Sequence, residues 1–320
     1  MVTFITSAIC IGTVFLYGCV GEIITEKAGH LNLGIPGIMC MGTAGGCWGA
    51  AIYMNSAGAD GASFILLALI SILFACMFGA LGGLIYAFLT VTLRSNQNVT
   101  GLALTTFGAG LAQFLMDVYV DRSHLPAASV LMRSSLPFAD SLGWFGEIFF
   151  SHGILVYLAI AVAIVAAVML KRTRTGLNIR AIGENPATAD AAGINVNAYK
   201  YGAILIGSAI AGLGGLCYVM NFIGGSWENA GTIEAFGWLS IALVIFTLWK
   251  PDLSILGSIL FGGLYIAAYR ITGISFSQMK LLQLLPYVIT IIVLIITSIM
   301  DRKENQPPAS LGLNYFREER

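Results

Sequence analysis

Long apolar stretches are the feature that most constrains what this chain can fold into. A helix needs about 20 apolar residues to cross the hydrocarbon core of a bilayer. Apolar residues make up 58% of the 320 residues and charged residues only 10%, too few to cover so long a chain with a water-facing surface. The stretches lie near residues 3–23, 35–54, 63–93, 101–118, 152–170, 199–221, 235–249, 253–271 and 281–299.

The pattern therefore predicts an all-α fold, a polytopic transmembrane helical bundle of about nine to ten spans with membrane lipid as its main solvent. We expect residues 1–300 to form the transmembrane domain, with a cytoplasmic loop at 171–200, and residues 301–320 to form a cytoplasmic tail. The first stretch has no basic residue before it, so it is expected to be a span rather than a removed signal peptide. The 63–93 stretch is longer than one straight crossing requires, and this leaves room for a break.

The distribution of basic residues predicts an orientation. Lysine and arginine are enriched on the cytoplasmic side of membrane proteins. Segment 117–147 is rich in acidic residues and is expected outside. Counting crossings from the loop places residues 24–34, 94–100 and 250–252 inside, the N-terminus outside and the C-terminus inside; a tenth, re-entrant crossing would change the N-terminal side. The basic residues in question are Lys171, Arg172, Arg174, Arg180 and Lys200 in the loop, and Arg302, Lys303, Arg317 and Arg320 in the tail.

Several functions lack their sequence signals. Sixteen basic residues balance sixteen acidic ones, which gives no basic excess for nucleic acid. No Walker A motif is present, and the six cysteines lie in apolar surroundings without metal-ligand spacing. We therefore predict no catalytic, cofactor-binding or metal site in this chain, and a role other than that of an enzyme. Residues 79–86 and 211–218 form a faint glycine-rich repeat, which would be inverted in the membrane.

The loop 171–200 contains the signals of a short helix. Asn185 is a good N-cap, Pro186 suits the first helical position, and Gly193 suits the position after the helix. So short a helix is unstable alone in water. It must pack either in a groove of a partner or on the surface of its own protein, and the residues leave both possibilities open.

Three motifs resemble those of one transporter family. Gly183–Ile194 (GENPATADAAGI) looks like the cytoplasmic loop of ABC-importer permeases of the branched-chain amino acid, ribose and nucleoside class. Gly21–Gly34 (GEIITEKAGHLNLG) is similar to the signature of the nucleoside and simple-sugar branch, except that Pro36 replaces the usual acidic residue before Gly37. Asn96–Leu104 (NQNVTGLAL) is similar to a polar stretch that opens a helix in that family.

The resemblance implies a type II ABC importer-like fold and a permease subunit that forms the translocation path for a nucleoside or simple sugar. It further implies a separate ATPase subunit that binds ATP and Mg, a second permease that is a longer paralogue, an extracellular solute-binding lipoprotein, and the plasma (inner) membrane of a bacterium. The helix that would couple to the ATPase comprises Glu184, Asn185, Pro186, Ala187, Ala189, Asp190, Ala191 and Gly193. The alternative is an ion-coupled secondary transporter, which would need acidic or histidine relays that the mid-span regions largely lack.

Polar residues within spans are candidates to line the path, because an unpartnered polar group in lipid is costly. Solvation at the membrane interface is the alternative for Glu22, which lies near a span end, and helix capping is the alternative for the asparagines. The external Trp227 and Glu228 are candidates for contact with the delivering protein. The predicted path residues are Glu22, Asn32, Asn96, Gln97, Asn98 and Thr100.

Overall fold

The computed structural model describes residues 1–58, 61–134, 139–271, 273, 275–300 and 306–316, and within these ranges it is helical without strands. The predicted all-α fold is confirmed. Residues 301–305 and 317–320 of the tail, with all four basic residues used for its orientation, lie outside the described part. The α-helices are α1 Val2–Lys27, α2 Ile35–Ala57, α3 Phe64–Ala87, α4 Gln97–Val118, α5 Leu125–Met132, α6 Gly143–Phe149, α7 Ile154–Arg172, α8 Arg174–Glu184, α9 Pro186–Ala191, α10 Val196–Cys217, α11 Ala230–Phe246, α12 Pro251–Arg270, α13 Phe276–Leu282 and α14 Leu285–Met300.

Eight helical stretches of the described residues are long and apolar enough to cross a membrane, and α11, with 17 residues, is a shorter apolar helix. Together they account for the nine predicted crossings. The long 63–93 stretch has no break in its middle: α3 is continuous to Ala87 and then ends in a π-helical turn, Phe88–Thr92. A similar π-helical turn, Tyr218–Phe222, extends α10.

Two sets of loops lie at opposite ends of the bundle. At the tail end, residues 28–34, 93–96, 173–195 and 247–250 lie close to the C-terminal residues 306–316, as hydrogen bonds from Ser310 N to Gly183 O (3.0 Å) and from Gly312 N to Gly29 O (3.2 Å) show. At the far end, residues 119–134 and 139–153 lie near residues 223–229. The first half of α1 packs there with Ile148 and Val156, so the N-terminus lies at the far end.

The centre of the bundle is formed by α1, α2 and α10, whose residues are mostly buried, whereas α3, α7, α12 and α14 expose broad apolar faces. The central helices approach closely at glycines. A Cβ atom on Gly42 would lie 2.3 Å from the Cα of Gly212, and one on Gly79 would lie 3.2 Å from that same atom. Small residues permit such contacts where no water drives helix association.

The faint repeat lies at this crossing. Residues 79–86 are in α3, which runs from the far end to the tail end, and residues 211–218 are in and just after α10, which runs the opposite way. Each segment leads into one of the two π-helical turns. Pro36, the departure from the family signature, lies in the first turn of α2, directly against Gly237 of α11.

Candidate functional site

The short helix α9 has the local structure that its sequence predicts. The side chain of Asn185 accepts a hydrogen bond from Thr188 N (2.9 Å), and Pro186 opens the helix. Gly193, with φ +83°, ends it, while Ile194 N donates to Ala189 O (3.1 Å). These are a side-chain N-cap and a Schellman C-cap, so both ends of this six-residue helix satisfy their backbone groups.

One side of α9 rests on its own protein. Ala189 is buried in a small apolar cluster with Ile182 and Val196, against which Tyr315 also packs. The remaining predicted coupling residues divide by exposure: Glu184, Asn185, Ala191 and Gly193 are exposed, whereas Pro186, Ala187 and Asp190 are half-buried. The helix therefore packs on the rest of its own protein through Ala189, and its opposite face is exposed at the tail end.

Three of the predicted path residues hold the loop between α1 and α2. Glu22 and Asn32 are fully buried, and Asn32 N donates to Glu22 Oε1 (2.8 Å). Leu31 N donates to Gln97 Oε1 (2.9 Å), which connects this loop to α4. One turn beyond Glu22, the buried Glu26 accepts a hydrogen bond from Trp249 Nε1. These contacts make a polar network at the tail end of the bundle.

The other three predicted path residues lie at the start of α4. Asn96 is the N-cap, and its side chain accepts a hydrogen bond from Val99 N (3.1 Å). Thr100 is buried, with its hydroxyl 2.9 Å from that of Ser95, while Asn98 is exposed. Capping thus explains Asn96. A role in solute passage stays a prediction for all six residues.

A large cavity lies at the far end and was missed at the sequence level. Its volume is about 930 Å³, within the range of small-molecule sites. We call it the aromatic cavity. Its aromatic lining residues are Tyr218, Phe222, Phe236, Tyr265, Tyr269 and Tyr287, and its polar lining residues include Glu228, Thr232, Arg270, Lys280 and Gln283.

The rings of the aromatic cavity are mutually oriented. Phe236 meets Tyr218 edge to face, with ring centroids 4.8 Å apart, and Tyr265 in the same way at 5.4 Å. Tyr218 and Phe222 are stacked at 5.7 Å. The sequence carries a signal for this arrangement, since the aromatic pairs 218/222 and 265/269 have the i, i+4 spacing that places two side chains on one helix face.

Polar groups form two hydrogen-bonded sets on the same walls. The hydroxyls of Tyr265 and Tyr269 are 3.2 Å apart, and Gln283 Nε2 donates to the Tyr269 hydroxyl (2.7 Å). The Thr232 hydroxyl donates to a carboxylate oxygen of Glu228 (3.3 Å). Aromatic faces beside hydroxyl, amide and carboxylate groups suit a ligand that is itself part planar ring and part polyhydroxyl.

Comparison with known proteins agrees with this picture. Residues 4–296 match the family described as "Branched-chain amino acid transport system / permease component". The Nucleoside ABC transporter permease protein NupC of Lactococcus lactis subsp. cremoris is 34% identical, and the match covers 95% of this chain and 94% of that protein. The Guanosine ABC transporter permease protein NupQ of Bacillus subtilis is 29% identical over 94% and 92% of the two chains. The Glucose ABC transporter permease protein TsgB13 of Haloferax volcanii is 24% identical over 88% and 76%.

The family match and the full-length relatives decide between the classes of function. An ion-coupled secondary transporter is not favoured, and the chain is a transport component rather than an enzyme. An ATPase and other subunits are implied as partners by the family. The chain belongs to the permease family of the branched-chain amino acid transport systems, and it is a multi-pass membrane permease subunit of an ABC importer.

Proposed function

We propose that this permease carries nucleosides inward across a bacterial plasma membrane and that the aromatic cavity is part of its path. The aromatic cavity is the observation that carries the proposal. Its tyrosine and phenylalanine rings can stack on a nucleobase, and stacking contributes about 1–3 kcal/mol per base. The carboxylate of Glu228 and the amide of Gln283 can bond ribose hydroxyls. The nucleoside and guanosine permeases among the relatives support this substrate class.

A simple sugar is the second candidate substrate, supported by the relationship to a glucose permease. Aromatic rings and a carboxylate also suit a sugar. The two substrates differ in that a nucleoside carries a nucleobase, which would add to binding. A competition experiment decides between them, in which the reconstituted system takes up a labelled nucleoside. Excess unlabelled nucleoside should block this uptake, whereas excess glucose or ribose should not.

The test of the aromatic cavity uses the permease reconstituted with its ATPase, second permease and binding protein. Replacing Tyr265 by Leu removes a stacking face, and we expect the KM for nucleoside uptake to rise about tenfold. The control is Trp144→Leu, which removes a mostly exposed aromatic ring at the far end outside the cavity. If both substitutions raised the KM equally, or if neither raised it, the aromatic cavity would not be part of the path.

In this proposal the tail end is cytoplasmic and α9 is the coupling helix. The basic residues Lys171, Arg172, Arg174 and Arg180 at that end support the orientation. ATP and Mg would bind in the partner ATPase, a longer permease paralogue would complete the path, and a solute-binding lipoprotein would deliver solute at the far end, where Trp227 and Glu228 lie. The six predicted path residues would then lie at the inner end of the path, three of them holding the loop between α1 and α2 and three at the start of α4.

Exposed residues at the end of α8 and on α9 provide the test of coupling. Glu184→Arg and Ala191→Trp change exposed residues, and both should abolish ATP-driven uptake by blocking ATPase docking. Ala189 is unsuitable for this test, because it is buried against its own protein. Arg172→Ala, at an exposed position before α8, is the control and should leave uptake near that of the unsubstituted chain. Intact uptake with Glu184→Arg and Ala191→Trp would refute the coupling role.

A further inference from the structure

The C-terminal residues 306–316, which we call the strap, lie across the tail end of the bundle without forming a helix. Ser310 N donates to Gly183 O (3.0 Å), immediately before the coupling helix, and the Ser310 hydroxyl bonds to the same carbonyl. Two residues later, Gly312 N donates to Gly29 O (3.2 Å) in the loop between α1 and α2. The strap thus connects the coupling loop to the first loop of the bundle.

Asn314 ties the strap to a third loop. Its side-chain nitrogen donates to Arg94 O (2.7 Å) and to Ser95 O (3.3 Å), between α3 and α4. Gln97 Nε2 lies within hydrogen-bond distance of Leu313 O (3.4 Å) and Asn314 Oδ1 (3.3 Å), while the other end of the same amide accepts from Leu31 N. One amide of α4 therefore holds both the strap and the first loop.

Tyr315 connects this anchored strap to the coupling helix itself. Its hydroxyl donates to Asp190 Oδ2 (2.8 Å) on α9, and its ring packs on the apolar cluster of Ile182, Ala189 and Val196. The next residue, Phe316, lies with its ring 4.9 Å from the guanidinium carbon of Arg94. The contact on α9 and the anchors on the loops at 28–34 and 93–96 are thus separated by only a few residues of non-helical chain.

Little space remains beneath Asn314 and Tyr315 on the side of His30. A cavity of about 10 Å³ is lined by His30, Lys200, Asn314 and Tyr315, among others. That volume is about the least that holds one water molecule. A wider cavity, of about 320 Å³, lies beside the contact between Tyr315 and Asp190.

We propose that the strap is a transmission element, which carries displacement of the coupling helix to the inner ends of α1, α2, α3 and α4. The covalent route from α9 leads only into α8 and α10. The strap adds a second route, from Asp190 through Tyr315 and Asn314 to the loops that join α1 to α2 and α3 to α4. Tyr315 is the positioning residue in this route. The inference rests on the proposed role of α9 as the coupling helix.

The test measures uptake per ATP hydrolysed in the reconstituted complex. Tyr315→Phe keeps the ring and removes the bond to Asp190, and we expect uptake per ATP to fall about two- to tenfold, the range of one lost hydrogen bond. A chain ending at Asn305 should lower the ratio further. ATPase co-purification and ATP hydrolysis should stay near the level of the unsubstituted chain. The control, Tyr157→Phe, removes a hydroxyl at the far end that donates to Phe149 O (3.1 Å) and accepts from His152 N (3.3 Å), and it should leave the ratio unchanged.

A double substitution separates transmission from simple loss of stability. In a chain carrying Asp190→Ala, adding Tyr315→Phe should lower uptake per ATP no further, because the bond is already absent. The proposal would be overturned if uptake per ATP were unchanged in Tyr315→Phe or in a truncated chain that assembles. It would also be overturned if these variants lowered only the amount of assembled complex. If Glu184→Arg and Ala191→Trp abolish uptake while the strap variants retain the ratio, the strap alone fails. If those two substitutions leave uptake intact, the assignment of α9 as the coupling helix is refuted, and with it the basis of the strap proposal.

Discussion

His30, in the loop between α1 and α2, is buried, and none of the described residues supplies a hydrogen-bond partner for either ring nitrogen. Burial, assisted by the charge of Lys200, lowers the pKa of His30 well below its usual value of 6.5. The unfolded chain therefore binds a proton at a pH where the folded chain does not. Stability is full above about pH 6.5 and decreases as the pH falls, at up to about 1.4 kcal/mol per pH unit until the lowered pKa is reached.

We accordingly expect His30 to lower the thermal unfolding temperature in detergent as the pH falls from 7.5 to 5.5. His30→Gln, which cannot be protonated, should show a smaller fall. His152→Gln serves for comparison and should reduce the fall by less, because burial also lowers the pKa of His152 but its ring nitrogen Nε2 lies 2.9 Å from Ile148 O, which opposes that shift. An identical pH dependence in the unsubstituted chain and in His30→Gln would show that His30 does not contribute to it.

At this scale, local chemistry was predictable and long-range pairing was not. Asn185, Pro186 and Gly193 act within one short helix, so their cap roles can be recognised from spacing alone. The partners of Gln97 are Leu31 and Asn314, and no spacing rule connects residues so distant along the chain. The sequence therefore identifies a polar residue in an apolar span, but it does not predict the distant residues that this side chain contacts.

Among the helices, the crossing of α2 and α10 gives the sharpest expectation. A methyl group on Gly42 would meet the backbone of Gly212 at 2.3 Å, so Gly42→Ala must separate two central helices. We expect a loss of about 1–3 kcal/mol, the usual result of overpacking. The control is Gly202→Ala in α10, where no atom lies within 4 Å of the added Cβ. Thermal unfolding in detergent measures both variants.

Gly202→Ala should be neutral or slightly stabilising, since alanine favours helix over glycine by roughly 0.5–1 kcal/mol. Equal unfolding temperatures for Gly42→Ala and Gly202→Ala would mean that the helices do not approach closely at Gly42. Loss of stability in both would point instead to a general sensitivity of the bundle to added methyl groups.

The helices themselves were predictable to the extent that each is long and uniformly apolar. The order of the nine crossings follows from hydropathy, but α11 begins at Ala230, five residues before the apolar stretch that marks it. The short helices α5 and α6 at the far end were not predicted, because each is too short for a hydropathy window. The aromatic cavity was missed because its walls come from α1, from the π-helical turn after α10 and from α11, α12, α13 and α14, whose packing no single stretch reveals.

For the molecule as a whole, α10 and its π-helical turn connect the two proposed sites. The helix begins at Val196, in the apolar cluster beneath the coupling helix, and the turn after it supplies Tyr218 and Phe222 to the aromatic cavity. Its 27 residues span roughly 40 Å at 1.5 Å per residue. A displacement of the coupling helix would therefore be transmitted to the aromatic cavity through one continuous element, α10 with its turn. The strap would transmit the same displacement to α1, α2, α3 and α4.

This arrangement requires the tail end and the far end to face opposite sides of the membrane, with the tail end inside. Cysteine accessibility in intact cells tests it, with Ser123→Cys at the far end and Thr175→Cys at the tail end, both exposed positions that leave every basic residue in place. Because lysine and arginine are retained on the cytoplasmic side, a membrane-impermeant maleimide should label residue 123 in intact cells and residue 175 only after permeabilisation. The unsubstituted chain is the control, since its six cysteines are buried or half-buried. Labelling in the reverse pattern would invert the orientation, and labelling of both positions in intact cells would mean an even number of crossings between them, in place of the single crossing by α7.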